Sequence, residues 1–414
     1  MKVIHAIGST AAIGVLALFA ACGPQTESAS FNLSREFVDS NLNGAVAQIK
    51  VLAQNVPADS LPRTFMDGAS ISSNTSWWTS GFYPGSLLYL YEYSQDTQLL
   101  ELAKEKLALL EKEKRNTSTH DLGFILYCSF GNALRITGDT AAYRDVLLTA
   151  AESLSTRFNP ATKTIRSWEG WNFPVIIDNM MNLELLTQAT SKLGGDQKYY
   201  DIAVTHANTT MRNHYRADHS AYHVIDYNPE TGDIIGRKTA QGALDESTWA
   251  RGQAWGLYGY VMMYRETADS TYLDFAKNIE AFLFNHPNMP ENLVPYWDFD
   301  SPDLQQDSPY AARHRTTRDA SAAAILASAL IELSTCADGD EQTDYLGKAE
   351  RILQTLSSQP YKAEIGSNGG FILRHSVGSI PHGSEVDVPL TYADYYYIEA
   401  LMRYRRLLSE RSIF

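Results

Sequence analysis

Ser321-Ala322-Ala323-Ala324-Ile325-Leu326-Ala327-Ser328-Ala329-Leu330-Ile331-Glu332-Leu333 carries apolar or small side chains on nearly every side of the helix it would form. A helix without a polar face belongs in an interior, between an outer layer and a centre. It opens on a polar start, Arg318-Asp319-Ala320. Residues 342–357, beyond it, place apolar side chains at three- and four-residue spacing with charges between them, as a half-exposed helix does. The same alternation runs through the chain. Polar or aromatic starts at Trp77-Trp78-Thr79, His120-Asp121-Leu122, Pro174-Val175-Ile176, Trp249-Ala250-Arg251 and Tyr392-Ala393-Asp394 each open an apolar segment. Amphipathic segments over 34–54, 97–113, 140–157, 197–214 and 271–285 separate them, and the connectors carry Asp or Gly, as in Gly138-Asp139-Thr140 and Gly194-Gly195-Asp196.

About twelve helices in alternation predict an all-α fold, an (α/α)6 barrel of six hairpins. The competing arrangement is an open solenoid of stacked hairpins. The inner segments are too apolar to line an open concave face, and the repeats vary in length, so closure is the expected form. Closure gathers the six helix starts around one mouth, where Asp121 and Asp178 face a shared pocket. His223-Val224-Ile225-Asp226-Tyr227 and Asp233-Ile234-Ile235-Gly236-Arg237 flank Asn228-Pro229-Glu230-Thr231-Gly232, which reads as a short β-hairpin overhanging that mouth. Loops from Pro287 to Arg318 and from Gly366 to Pro389 supply the remaining walls.

With 414 residues, 44% of them hydrophobic and 20% charged, the chain can bury a large core. A net charge of −14 argues against nucleic acid as a partner, because phosphate binding needs a basic surface. Residues 1–22 read as a signal peptide: Lys2 supplies the positive start, Ile13 to Phe19 the apolar core, and Ala20-Ala21-Cys22-Gly23 the cleavage site. Small residues before Cys22 resemble the bacterial lipoprotein signal, in which that Cys is lipidated, although Phe19 stands where such signals usually carry Leu. Residues 23–32 follow as a flexible tether, and 33–414 as a single catalytic domain. The expected product is an exported monomer, lipid-anchored in the cell envelope or periplasmic, that meets a membrane only through its N-terminus. Cys128 and Cys336 have no metal-ligand spacing and read as thiols acting as small hydrophobes.

An Asp at a helix start is commonly a cap or a partner of the helix dipole, and Asp121 or Asp178 alone would be read so. On adjacent inner helices with starts at one end they become a carboxylate pair able to divide acid and base work on a glycoside. The segment from Thr239 to Trp255 is the other dense stretch, with Thr239, Gln241, Asp245, Ser247, Trp249, Arg251, Gln253 and Trp255. Arg251 and Trp255 share a helix face. A guanidinium there can clamp a carboxylate with two parallel bonds while the indole stacks on a sugar ring. The plainer reading is an Arg in an internal ion pair with Trp packed behind it.

His120-Asp121-Leu122-Gly123-Phe124, Ile177-Asp178-Asn179-Met180-Met181-Asn182 and Trp249-Ala250-Arg251-Gly252-Gln253-Ala254-Trp255-Gly256 together resemble the unsaturated glucuronyl hydrolases of glycoside hydrolase family 88, as does Trp78-Thr79-Ser80-Gly81-Phe82-Tyr83-Pro84-Gly85. The resemblance spans nearly all of the chain after the leader. It implies the six-hairpin barrel, Asp178 as acid/base, Asp121 as the second catalytic carboxylate (stabiliser or nucleophile), and Trp78, His223, Thr239, Gln241, Arg251 and Trp255 as substrate contacts. Trp168 or Trp171 would add an aromatic partner on the Asp178 side, and Lys238 would help offset substrate charge. It implies no metal and no cofactor. The substrate would be an unsaturated uronyl oligosaccharide left by a polysaccharide lyase, hydrated across its C4=C5 enol ether. The nearest alternative is an unsaturated rhamnogalacturonyl hydrolase of the same fold. An α/α-barrel polysaccharide lyase would need a Tyr or His base that no motif here singles out, and a non-catalytic glycan-binding lipoprotein would not need both aspartates.

Overall fold

The computed structural model describes residues 31–414; the expected leader, Cys22 and residues 23–30 of the tether lie outside them. Twelve helical stretches alternate between two concentric layers. The outer ones are Arg35–Asn55, Thr97–Leu110, Thr140–Ser155, Gln197–Asn213, Ser270–Asn285 and Gly339–Leu356. The inner ones are Phe82–Ser94, Gly123–Gly131 continued by Asn132–Thr137, Ile177–Asn182 continued by Leu183–Ser191, Ala250–Thr267, Ala320–Ser334 and Thr391–Leu407. Every residue of Ala320–Ser334 is buried, as a helix without a polar face requires.

The ring closes. Phe82 on the first inner helix packs at 5.2 Å against Tyr395 on the last, and Tyr89 donates to Glu399 at 2.9 Å. The first outer helix reaches the same last helix through Asp39 and Arg405. A solenoid has no such contact between its ends.

Connections from an inner helix to the next outer one are short, at 95–96, 138–139, 192–196, 268–269 and 335–338. The connector aspartates are helix caps. Asp96, Asp139, Asp196 and Asp269 each accept a backbone N–H in the first turn of the following outer helix, worth about 1 kcal/mol apiece. Gly138, with φ of 70°, ends the preceding helix in the left-handed conformation. All the long connections leave outer helices and return at the opposite end, so the six inner N-termini and nearly all irregular chain meet at one mouth. The inner helices approach closely there. A Cβ on Gly81 would lie 2.2 Å from the Phe124 carbonyl oxygen, and one on Gly123 would lie 2.5 Å from Asn182 Cα.

Three mouth segments differ from the sequence reading. Pro174–Ile176 is a strand rather than a helix opening; Pro, lacking an N–H, fits the first residue of an edge strand. It pairs with Val224–Tyr227, which pairs in turn with Ile234–Lys238, so the expected hairpin is two strands of a three-stranded sheet. The loop from Gly366 to Pro389 holds a second hairpin, Ser376–Ser379 with Ser384–Val388. A third, Leu61–Met66 with Ala69–Ser73, precedes the first inner helix.

Candidate active site

The mouth sheet brings Asp178 and His223 side by side. Ile176 pairs with Val224, and Ile177 N–H donates to the His223 carbonyl at 3.1 Å. The chain then turns into the helical stretch Ile177–Asn182, which aims Asp178 inward, 7% exposed. Nδ1 of His223 accepts from the backbone N–H groups of Ala240 (3.0 Å) and Gln241 (3.2 Å). Its proton therefore sits on Nε2, 3.8 Å from Asp178 Oδ2. That separation lets a single oxygen lie within hydrogen-bond reach of both. Burial, reinforced by the positive charge of Arg251, lowers His223 to about 3, so the ring is neutral.

Burial pushes Asp178 up to about 7, with the Arg251 charge opposing the rise and the Asp121 charge adding to it. A carboxyl that keeps its proton near neutral pH is equipped as a general acid. Asp178 Oδ2, His223 Nε2, Trp255 Nε1 and Arg251 Nε are all buried without a hydrogen-bond partner. Buried polar atoms are normally satisfied, so such a cluster marks a place built to receive a polar ligand.

Arg251 is more constrained than a free clamp. Nη1 donates to Asp319 Oδ2 at 3.2 Å and to the Val377 carbonyl, and Nη2 donates to Gln241 Oε1 at 3.0 Å and to the Gly378 carbonyl at 2.7 Å. Both Nη atoms are committed within the protein, and the expected two-pronged grip on a substrate carboxylate gives way to a fixed buried charge with Nε free. The plainer reading of an internal ion pair describes its contacts, with Trp249 rather than Trp255 stacked on it, at 4.6 Å. Asp319 caps its own helix through Ser321 N–H and holds both Arg251 and Val377 N–H. Asp394 accepts from Ile372 and Leu373 N–H and so fastens the third mouth loop.

Gln241 and Thr239 line the same rim. The Thr239 hydroxyl accepts from Gly242 N–H at 2.7 Å. Asp298, fully buried in the Tyr296-Trp297-Asp298 run, takes Ala243 N–H and the Ser247 hydroxyl, which fixes the turn after Gln241. Across the mouth, Asp121 is half-buried, its Oδ1 3.2 Å from His120 Nε2 and its Oδ2 accepting from the Thr119 hydroxyl at 3.0 Å.

The aromatic wall also differs from the expectation. Trp255 is fully buried, with Phe124 at 5.2 Å and Tyr396 at 5.3 Å, so neither indole face is open to a sugar and only its N–H is offered. Trp78 is half-buried on the wall, 4.8 Å from Tyr392. Of the other pair, Trp168 is half-buried and Trp171 is 37% exposed, with Lys238 Nζ 5.5 Å over its ring. Sequence reasoning gave no site role to Trp249, which stacks on His223 at 4.5 Å, or to Tyr392, 5.3 Å from the Arg251 guanidinium. Both stand in the polar starts that open inner helices, and that position was the available signal. Among the described residues no three His, Cys, Asp or Glu side chains are grouped to hold a metal ion.

The family described as Glycosyl Hydrolase Family 88 matches residues 57–405. An unsaturated glucuronyl hydrolase of Formosa agariphila is 46% identical over 335 residues, 80% of each chain. The crystal structure of an unsaturated glucuronyl hydrolase specific for heparin superposes with a TM-score of 0.84 at 46% identity, covering 92% of this chain and all of that one. An Asp-to-Asn variant of the Streptococcus agalactiae unsaturated glucuronyl hydrolase, complexed with dGlcA-GalNAc6S, is 30% identical with a TM-score of 0.75, over 91% of this chain and 93% of that one.

Proposed function

The chain belongs to glycosyl hydrolase family 88 and hydrolyses unsaturated glucuronyl residues from oligosaccharides, and from that premise we propose that Asp178 is the acid that starts the reaction and the base that completes it. The observation that carries this reading is a buried carboxyl raised to about 7 whose free oxygen faces the neutral Nε2–H of His223.

The unsaturated uronate is an enol ether with C4=C5 conjugated to its carboxylate. Asp178 gives its proton to C4, the C4=C5 electron pair forms the new C–H bond, and positive charge develops at C5 and the ring oxygen. Water adds at C5 and returns a proton to the Asp178 carboxylate. The resulting hemiketal opens by breaking the bond between C5 and the ring oxygen, leaving a ketone at C5 and a hemiacetal at C1. Collapse of that hemiacetal to an aldehyde releases the next sugar. Asp121, on the neighbouring inner helix, stabilises the developing cation. The fixed charge of Arg251, with the N–H groups of His223 and Trp255, offsets the substrate carboxylate. Attack is at C5, so carboxylate spacing carries no rule of retention or inversion here.

The test is the ultraviolet absorbance of an unsaturated uronyl disaccharide, which falls as the conjugated double bond is hydrated. A rise of absorbance on intact polysaccharide would instead identify a lyase. Identity of 46% to the heparin-specific structure, against 30% to the relative bound to dGlcA-GalNAc6S, supports heparin-type disaccharides as the first of the panel and chondroitin-type as the second. We further infer from Ala20-Ala21-Cys22 that the protein is exported and lipidated at Cys22. Loss of labelled fatty acid in Cys22→Ala would agree, and unlabelled wild-type protein would refute it.

A further inference from the structure

The hairpin whose carbonyls hold Arg251 is kept in a shape that its own residues resist. Ser376–Ser379 pairs with Ser384–Val388, and on the second strand Glu385 and Asp387 have φ of 56° and 57°. Side chains other than glycine are uncommon in that left-handed region, and they persist there when the surrounding structure imposes it. Asp387 is the extra residue of a bulge, since Ser376 faces Val388 while Val377 faces Val386. Glu385 lies outside that bulge, and what constrains it is its side chain.

The Glu385 carboxylate reaches across to the first mouth hairpin. Arg63 donates from Nε to Oε1 at 2.7 Å and from Nη2 to Oε2 at 3.0 Å, a fork-to-fork pair between half-buried side chains. Arg63 is also a bulge residue, because Pro62 faces Ser72 while Thr64 faces Ile71. Its guanidinium lies 4.1 Å over the Trp77 ring and donates to the Ser384 hydroxyl at 3.3 Å. The two hairpins meet again where the Thr64 hydroxyl donates to the Pro389 carbonyl at 2.6 Å.

Glu385 stands opposite Gly378, between the pairs Val377–Val386 and Ser379–Ser384. A Cβ on Gly378 would lie 2.7 Å from Glu385 Cβ and 2.8 Å from Glu385 Oε2. The glutamate is therefore laid against the backbone whose carbonyl accepts from Arg251 Nη2 at 2.7 Å. The neighbouring Val377 carbonyl accepts from Nη1, and Asp319 fixes that side of the strand through Val377 N–H. On the Gly378 side, the fixing contact comes from Glu385.

We propose that Arg63 and Glu385 form a clasp that positions Arg251: it sets the Gly378 carbonyl, and so the direction in which the guanidinium presents its free Nε to the substrate carboxylate. Both are positioning residues, acting through the backbone of Gly378. Cohesion between the hairpins does not account for them, since a half-exposed ion pair contributes little to stability and glycine at 385 would remove the strain. The inference rests on Arg251 offsetting the substrate carboxylate.

Glu385→Gly separates position from stability, because glycine adopts this φ freely while the clasp is lost. The melting temperature of the full-length variant should stay within about 3 °C of wild type. KM for an unsaturated uronyl disaccharide should rise about tenfold, the scale of one impaired charged hydrogen bond, with kcat changed less. The readout particular to Arg251 is the preference for the free acid over the methyl ester of the same disaccharide, which should shrink because the ester presents no charge. A folded Glu385→Gly with wild-type KM and a wild-type acid-over-ester ratio overturns the proposal. Arg63→Gln leaves the strained strand untouched and opens the clasp from the other side, so it carries the same expectation should Glu385→Gly not fold. The double variant should lose no more than the larger single one, and additive losses would also overturn the clasp. Failure of the underlying reading would appear separately, as an unchanged acid-over-ester ratio in Arg251→Lys.

Discussion

Two clusters of buried ionisable groups share the barrel, and they are built on opposite plans. Toward the C-terminal ends of the inner helices, Arg265 pairs with Glu184, Glu266 and Glu332, and Arg403 pairs with Glu332 and Glu399. Glu399 also takes the hydroxyls of Tyr89, Tyr258 and Ser328, and none of these groups is left without a partner. At the mouth, Asp178, His223, Trp255 and Arg251 each keep one buried polar atom unpartnered. A cavity of about 540 Å³ lies beside the paired cluster, lined by Tyr127, Arg265, Arg403 and Phe414 among others. Space alone therefore does not locate the chemistry. A satisfied network of charges rigidifies a bundle, whereas unsatisfied groups held rigid around one point are prepared for something that is bound.

The largest effect expected from this contrast is at Asp178. Asp178→Asn should lower kcat by roughly 10²–10⁴-fold, the usual worth of general acid–base catalysis, while circular dichroism shows an intact fold. Turnover within tenfold of wild type would place the acid elsewhere. The paired cluster should respond in the opposite manner. Glu332→Ala removes a partner shared by buried Arg403 and half-buried Arg265, which keep Glu399 and the pair Glu184 and Glu266 respectively. Denaturant unfolding should then show a loss of about 1.5–3 kcal/mol, with kcat per folded molecule unchanged. An altered kcat there would mean that the two ends communicate. Arg251 belongs to both plans, being charged toward the site and bonded into the wall. Arg251→Lys cannot reproduce bonds to Asp319, Gln241 and two carbonyls at once. It should cost about 1.5–3 kcal/mol of stability and raise KM in the same variant. A change in only one of the two would assign Arg251 to a single plan.

The paired cluster was invisible in the sequence, and the barrel was not. An apolar run such as Ser321 to Leu333 states its own burial, because a helix without a polar face has one place to be. The connector aspartates were visible as a rhythm and became intelligible only as caps. The sheet at the mouth was half legible. Turn residues at Asn228 to Gly232 announce a hairpin, but Pro174 suits a helix start and a strand start alike, and only its pairing with Asp226 decides between them. Arg251 shows the limit most plainly. Its partners Asp319, Val377 and Gly378 lie 68, 126 and 127 residues away, and no local pattern connects them. Of the paired cluster only Glu399 and Arg403, four apart on one helix, show a local spacing; Glu184, Glu266 and Glu332 come from three other inner helices, and no pattern in the sequence gathers them.

The last contrast separates the two plans by stability alone. Asp178 has an unfolded value near 3.8 and a folded value of about 7. Below 3.8 both states carry the proton and the group costs nothing. Between 3.8 and 7 the unfolded chain releases a proton that the folded chain retains, so folding is penalised increasingly as pH rises, and above 7 the penalty is complete. Asp178→Asn removes the titration, so its melting temperature should exceed that of wild type, with a larger margin at pH 8 than at pH 5. Asp394 is the control. It is likewise raised to about 7 by burial, yet its two oxygens accept from Ile372 and Leu373 N–H. In Asp394→Asn the amide turns an NH2 group toward one of those donors, leaving it unpaired. That variant should melt lower than wild type at pH 5, where removal of the titration offsets least. Two buried aspartates with the same raised value would then respond oppositely to the same substitution, because one is satisfied by its own fold and the other waits on a substrate.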